Sequence, residues 1–336
     1  MNERIGLGKV RIFVMIGLIG LLMSKNLFSQ GSLFPVKIDN KWGFIDKNGK
    51  MIVSPEFDAV GNYSESFIPV KIGGVWGFAD ENGKIKVNPQ FTEVRNFSNG
   101  YAAVKLNGKW GFINTKSQGI VTPQFSQVED FAEGVAAVEI STSWAFIDTL
   151  GKIAINPQFS NAKKFSAGLA PVQIGLAWGF VNKADRYVIT PQFEKAEPFA
   201  ENLAAVRLNG KWGFINKEGV VVIQYQFDDA QNFTEGCAAV RLGNKWGYIS
   251  KDGSYLINPK FEDDINGEDE HKNFSEGLAA VRTDGKWGYI NKAGKFMITP
   301  QFGSAERFQN GMAAIKLNSK RGYIDKSGRT IWMQLN

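Results

Sequence analysis

After about Gly31 the chain alternates short apolar runs with clusters of turn-forming residues, and the pattern returns at a fixed spacing. Residues 203–208 form an apolar run with β-branched content, which predicts a strand. Asn209-Gly210 follows, and residues 211–216 form a second run. Asn-Gly between two such runs predicts a hairpin, because the type I′ turn needs positive φ at both central residues. Other copies carry Asp39-Asn40, Gly73-Gly74, Asn107-Gly108, Gly243-Asn244, Asp284-Gly285 and Asn318-Ser319 in these two places, with Ser141-Thr142 and Gly175-Leu176 as weaker versions. A two-residue turn fixes the register, setting Arg207 opposite Trp212, Val206 opposite Gly213 and Ala205 opposite Phe214. A second turn at residues 216–219 leads to a third strand over 220–223. Its Asn or Asp can cap the turn, and its Gly can take a left-handed conformation. In most copies Pro and then Phe close this strand, as Pro157 and Phe159 do. Pro cannot donate to a ladder, so it ends the strand or lies at an edge. An apolar-studded connector with recurring Ala and Phe, such as Ala230 and Phe233, leads to the next copy and could hold a short fourth strand.

The marker of the period is a tryptophan: Trp42, Trp76, Trp110, Trp144, Trp178, Trp212, Trp246 and Trp287. The steps are 34 residues except the last, which is 41, and Arg321 takes the Trp place 34 residues later. A period of this size marks a repeat architecture. Residues 31–336 are nine copies of one antiparallel β-meander, with a 7-residue acidic insertion at about 262–272. One copy cannot bury enough apolar surface to offset the entropy of ordering it, so neighbours must stack. The aromatic two places after Trp, including Phe146 and Phe214, is expected to form inter-copy ladders, and the Trp residues to lie in the same core. The Gly after Trp is replaced by Ala145 in the fourth copy, which points to a steric need rather than to positive φ. The expected fold class is all-β: an open solenoid or superhelix of nine meanders, with a closed propeller-like ring as the alternative. Propellers often close by pairing strands from the two termini, and here the array opens on strand one and ends after strand three. Phe34-Pro35 at the start and Arg321, Gln334 and Asn336 at the end read as caps.

Charge and composition exclude more than they assign. The net charge is +6, and half of it lies in the first 30 residues, where Arg4, Lys9, Arg11 and Lys25 face only Glu3. The repeat body is therefore mildly basic, not the footprint of a nucleic-acid binder. One Cys excludes an intrachain disulfide. One His, His271, leaves no His cluster for metal or catalysis. Residues 12–23 are an unbroken apolar or Gly run behind a positive segment. As a helix they would rise about 18 Å, short of a ~30 Å hydrocarbon core. Residues 1–30 are thus expected to be a cleaved signal peptide, leaving no membrane span and an exported protein of the periplasm, cell envelope or medium.

The strings NGKWGFIN (209–216) and FSEGLAAV (274–281), with NPQF (156–159), resemble the WG or KWG repeats. The resemblance covers the whole chain after about residue 31. It implies a β-repeat protein of a mainly bacterial, often exported family, without a shared enzymatic activity or cofactor.

Three features could bind something. Five residues before each Trp place stands a basic stripe of Lys37, Lys71, Lys105, Arg207, Arg241, Arg282 and Lys316, broken by Glu139 and Gln173. The hairpin register puts each across from its Trp, where a cation can sit over the indole. A solvated strand face whose long stems cover Trp is the simpler account. The Trp row could stack sugar rings, although a core position fits its setting better. The acidic insertion, with Glu262, Asp263, Asp264 and Glu268, has oxygen ligands but no EF-hand spacing, and reads as a solvated loop. No catalytic, cofactor or metal constellation stands out. The expectation is a non-catalytic scaffold that binds an as yet unidentified protein. Envelope polysaccharide or another acidic polymer is the alternative, and nucleic acid is not expected.

Overall fold

The computed structural model describes residues 33–263 and 273–335, so the signal-peptide expectation and most of the acidic insertion lie outside the described residues. Every regular element among them is a β-strand. The first repeat contributes β1 (Phe34–Ile38), β2 (Lys41–Ile45) and β3 (Met51–Phe57). The connector then forms β4 (Ala59–Val60), which pairs with β5 (Ile68–Ile72) of the second repeat, whose sheet continues with β6 (Val75–Ala79) and β7 (Ile85–Phe91). The fourth strand is therefore real, but it belongs to the sheet of the following repeat, where it leads the meander. Nine meanders lie in eight sheets, because the seventh and eighth are joined by the pair Glu262↔Arg282.

The hairpin register is the expected one, with Arg207↔Trp212, Val206↔Gly213 and Ala205↔Phe214. Both turn residues have positive φ at Asn209-Gly210 and its five nearest equivalents. At Ser141, Gly175 and Gly243 only the first does, which is why Thr142, Leu176 and Asn244 are tolerated in second place. The second turn is held by its carboxylate or amide. Asp46 accepts from the Asn48 and Lys50 N–H groups at 2.8 and 2.9 Å, and Asn216 does the same for Glu218 and Val220.

The Gly after Trp answers to the third strand. In the third repeat Trp110 pairs with Phe125 and Phe112 with Val121, so the third strand carries extra residues in a bulge. The bulge folds over Gly111, where a Cβ would lie 2.4 Å from the Val121 carbonyl and 2.7 Å from the Pro123 nitrogen. Pro fits there because a bulge residue need not donate to the ladder. The steric account thus holds, and the crowding group is the repeat's own third strand. Where Ala145 replaces Gly, Pro157 is exposed while Pro55, Pro89 and Pro123 are half-buried, so the bulge stands further out.

Each sheet buries both faces. Trp110 and Phe112 pack toward the fourth repeat with Val128, Phe131, Ala136 and Val138, while Ile113 packs toward the second with Phe78 and Phe97. The expected aromatic ladder is staggered. Phe112 meets Phe131 at 4.8 Å, Phe146 meets Phe165 at 4.9 Å and Phe214 meets Phe233 at 4.9 Å, each partner coming from the next repeat's connector. Trp144 and Trp212 are buried in these clusters, whereas Trp42 and Trp76 are half-buried.

Eight such clusters join consecutive repeats, and a ninth joins the last to the first: Phe34, Val36 and Ile45 with Met312, Tyr323, Ile331 and Trp332. Phe34 meets Tyr323 edge-on at 5.5 Å, and the Tyr323 hydroxyl donates to the Pro35 carbonyl at 2.9 Å. Of the two arrangements compatible with the repeat, this is the ring. Among the described residues this closure is made by burying faces, with no strand from one end paired in the sheet of the other. Phe34, read as part of a cap, is accordingly not one: it is buried against Tyr323 at the other end.

Candidate functional site

Lead strands decide what the basic stripe can do. Lead strands set Glu93 opposite Lys105 and Asp229 opposite Arg241, and the end of the seventh repeat's third strand sets Glu262 opposite Arg282. Lys105 pairs with Glu93 at 2.6 Å, Arg207 with Glu194 at 3.5 Å, Arg241 with Asp229 at 3.6 Å, and Arg282 with Glu262 at 4.0 Å. Lys105 and Arg241 also cover Trp110 and Trp246 at 5.5 and 5.9 Å from the ring centres. These four cations are half-buried and neutralised within the fold. Where Gln173 breaks the stripe, Lys163, just past the lead strand Asn161–Ala162, covers Trp178 instead, at 5.3 Å.

The other three stripe residues differ. Lys71 faces Ala59 and Lys316 faces Ser304, neither of which can neutralise it. The first repeat has three strands, so among the described residues no lead strand faces Lys37. Lys37 and Lys71 lie over the half-buried Trp42 and Trp76 at 5.9 and 5.8 Å. Lys316 stands opposite Arg321. The stripe is therefore not one continuous ladder. Its members without an acidic partner among the described residues belong to the ninth, first and second repeats, which are consecutive in the ring. A cavity of about 560 Å³ opens at the ninth–first junction, lined by Lys37, Trp42, Tyr63, Trp287, Arg307, Lys316, Arg321, Tyr323 and Trp332, with Glu306 as its carboxylate.

A second ladder escaped sequence reasoning. A two-residue turn with positive φ, such as Glu133-Gly134 or Glu235-Gly236, precedes most first strands. Glu133 accepts from the Gly168 N–H of the next repeat at 3.2 Å, Glu201 from Gly236 at 3.0 Å and Glu276 from Gly311 at 3.0 Å. Lys251 and Lys326 close the links on Glu201 and Glu276, both at 2.9 Å. Despite partial burial, Lys251 and the Gly236 N–H hold the Glu201 carboxyl below its usual range. The available signal was the acidic or Asn residue, in most copies before Gly, eleven places ahead of Trp and repeated at the period.

The titratable groups follow their packing. Burial pushes the Cys237 thiol up to about 11, and it raises the hydroxyls of Tyr248, Tyr289 and Tyr323 well above their ordinary range. Burial also raises the Glu129 carboxyl, against the opposing charge of Arg95. Asp58 and Asp228 are lowered, first by the ammonium groups of Lys41 and Lys211. Among the described residues, no three His, Cys, Asp or Glu side chains converge as metal ligands, and no helix is long and apolar enough to cross a membrane.

Among solved structures, the chain is similar in fold to one described as "Crystal structure of the eukaryotic initiation factor". The identity is 12%, the match covers 91% of this chain and 96% of that one, and the TM-score is 0.63. A match to the C-terminal WD40 domain of Sif2 has 10% identity, covers 77% of this chain and 92% of that one, and has a TM-score of 0.46. Among curated proteins none matches at significant sequence similarity. The family model for the WG containing repeat matches residues 42–76, 76–110, 110–141, 144–175, 178–212, 212–246, 246–287 and 287–320. A model that takes each repeat from one Trp to the next, over most of the chain, matches the unit that the sheets also display, and the chain belongs to the WG containing repeat family.

Proposed function

We propose that the chain is an exported, non-catalytic scaffold that binds a partner protein through the ninth–first–second sector of its ring. The observation that carries this reading is the grouping of Lys37, Lys71 and Lys316 in consecutive repeats, the first two over half-buried indoles, while the other stripe cations are neutralised within the fold. Conserved chemistry of one unit repeated around a ring gives a rigid platform, and one sector with unspent charge gives it direction. The test is capture from envelope extracts with the full chain and with a Lys37→Ser, Lys71→Ser, Lys316→Ser variant. The reading expects a protein captured by the first and lost with the second. Equal capture by both would refute the assignment of the sector.

A second reading takes envelope polysaccharide as the ligand, favoured by the exposure of Trp42 and Trp76 beneath their lysines. Sugar rings stack on such indoles. Retention of the chain on purified envelope polysaccharide, lost on Trp42→Ala with Trp76→Ala, would select this reading. Replacing Arg207, Arg241 and Arg282 instead is expected to disturb ion pairs with Glu194, Asp229 and Glu262 rather than ligand binding.

A further inference from the structure

We propose that β1 of the first repeat accepts, as a fourth strand, an extended acidic segment of a partner protein. This rests on the scaffold reading and names its docking site. Lead strands show what the edge of a first strand takes. In the second repeat the Lys71 carbonyl accepts from the Asp58 N–H at 2.9 Å and the Pro69 carbonyl from the Gly61 N–H at 2.8 Å. The third repeat repeats this with Lys105 from Thr92 and Ala103 from Arg95, both at 2.9 Å. Pro35 occupies the Pro69 place, and its carbonyl receives the Tyr323 hydroxyl instead. The equivalent hydroxyl of Tyr289 donates to the Glu306 carbonyl, which lies just past the lead strand of the ninth repeat. Tyr323 thus reaches across the place that a lead strand takes at the previous junction.

The cavity lies at this edge, and its charge selects the occupant. Lys37, Arg307, Lys316 and Arg321 outnumber Glu306. The chain's own lead strands write the remaining requirement as Phe-x-x-Ala/Val-x-x-Phe/Tyr, with a carboxylate before the Ala or Val wherever the opposing cation is paired within register, as at Glu93 and Asp229. The small residue packs into the junction, and the aromatic three places on meets the preceding repeat's aromatic, as Phe233 meets Phe214. Addition of a strand to an exposed edge supplies affinity through the main chain and specificity through alternate side chains.

The experiment uses a fluorescent peptide with the sequence of residues 227–234, FDDAQNFT, titrated onto the full chain. The expected result is one-to-one binding, absent for a scrambled peptide. Lys37→Glu should weaken it about ten-fold, the scale of one half-buried charge pair, and a peptide with Lys in the Asp229 place should recover it. Carbodiimide should link the peptide carboxylate to Lys37 in the unmodified protein. Cross-linking elsewhere, indifference to Lys37→Glu, or exclusion of the peptide at every concentration would overturn the proposal. Loss of peptide binding together with retained capture of a partner sensitive to Lys71→Ser and Lys316→Ser would reject this edge while leaving the scaffold reading standing.

Discussion

An interior junction and the closing junction of the ring are built from the same unit with different parts. Between the fourth and fifth repeats, Trp144, Phe146, Ile155 and Phe159 face Ala162, Phe165, Ala170 and Val172, and the lead strand Asn161–Ala162 fastens its sheet through two paired positions. Between the ninth and first repeats, Arg321 replaces Trp, no lead strand is seen among the described residues, and the cluster is smaller. The difference teaches that face burial is sufficient to join two repeats. The lead strand adds register and charge neutralisation, and the place without one keeps its cations and an edge.

The comparison breaks most sharply on the aromatic pairs. Phe146→Ala is expected to cost about 3–5 kcal/mol in urea unfolding, because Phe146 is fully buried against Phe165. Phe34→Ala should cost less, about 2–3 kcal/mol, since its junction can relax into the adjoining cavity. Equal losses would mean that the closing junction is as tightly packed as the rest. Gly213→Ala comes next, at about 1–3 kcal/mol, because its Cβ would lie 2.6 Å from the Ile223 carbonyl. Tyr323→Phe removes the hydrogen bond to Pro35 and should cost about 1 kcal/mol. Its diagnostic is faster hydrogen exchange in β1 than in β5.

The smallest effects concern charge. Asp58 and Asp228 are lowered by Lys41 and Lys211, so the folded state releases their protons more readily than the unfolded chain does. Their stabilisation is complete above the unfolded value of 3.8 and is lost as pH falls through the lower folded values. Lys211→Met should therefore flatten the acid limb of the stability profile slightly. Glu129 is shifted the opposite way, so Glu129→Gln should stabilise the protein at neutral pH and lose that advantage below the raised carboxyl value.

Much of the fold was legible because two-residue turns and period-two burial are local. Asn209-Gly210 set the register, and 34-residue spacing set the unit. Ring closure was not legible, since it depends on the small rotation between repeats and on two faces that meet across the whole chain, as Phe34 and Tyr323 do. The positions of the candidate site were legible as Lys37, Lys71 and Lys316, but not their separation from Lys105 or Arg241. That separation comes from lead strands contributed by the preceding repeat, where Ala59 and Ser304 stand in the places that Glu93 and Asp229 fill elsewhere.

The bulge that overlies the residue after the tryptophan, Gly in all copies but the fourth, bears on the sheet borders. A flat outer strand offers its unpaired N–H and carbonyl groups to any passing chain and so seeds fibres. Here the third strand is bent at its middle, and Pro55, Pro89, Pro123, Pro157, Pro191, Pro259 and Pro300 each remove a donor at the bend. Growth from those seven borders is opposed copy by copy, while the sixth copy, with Tyr225 in the Pro place, keeps its donor.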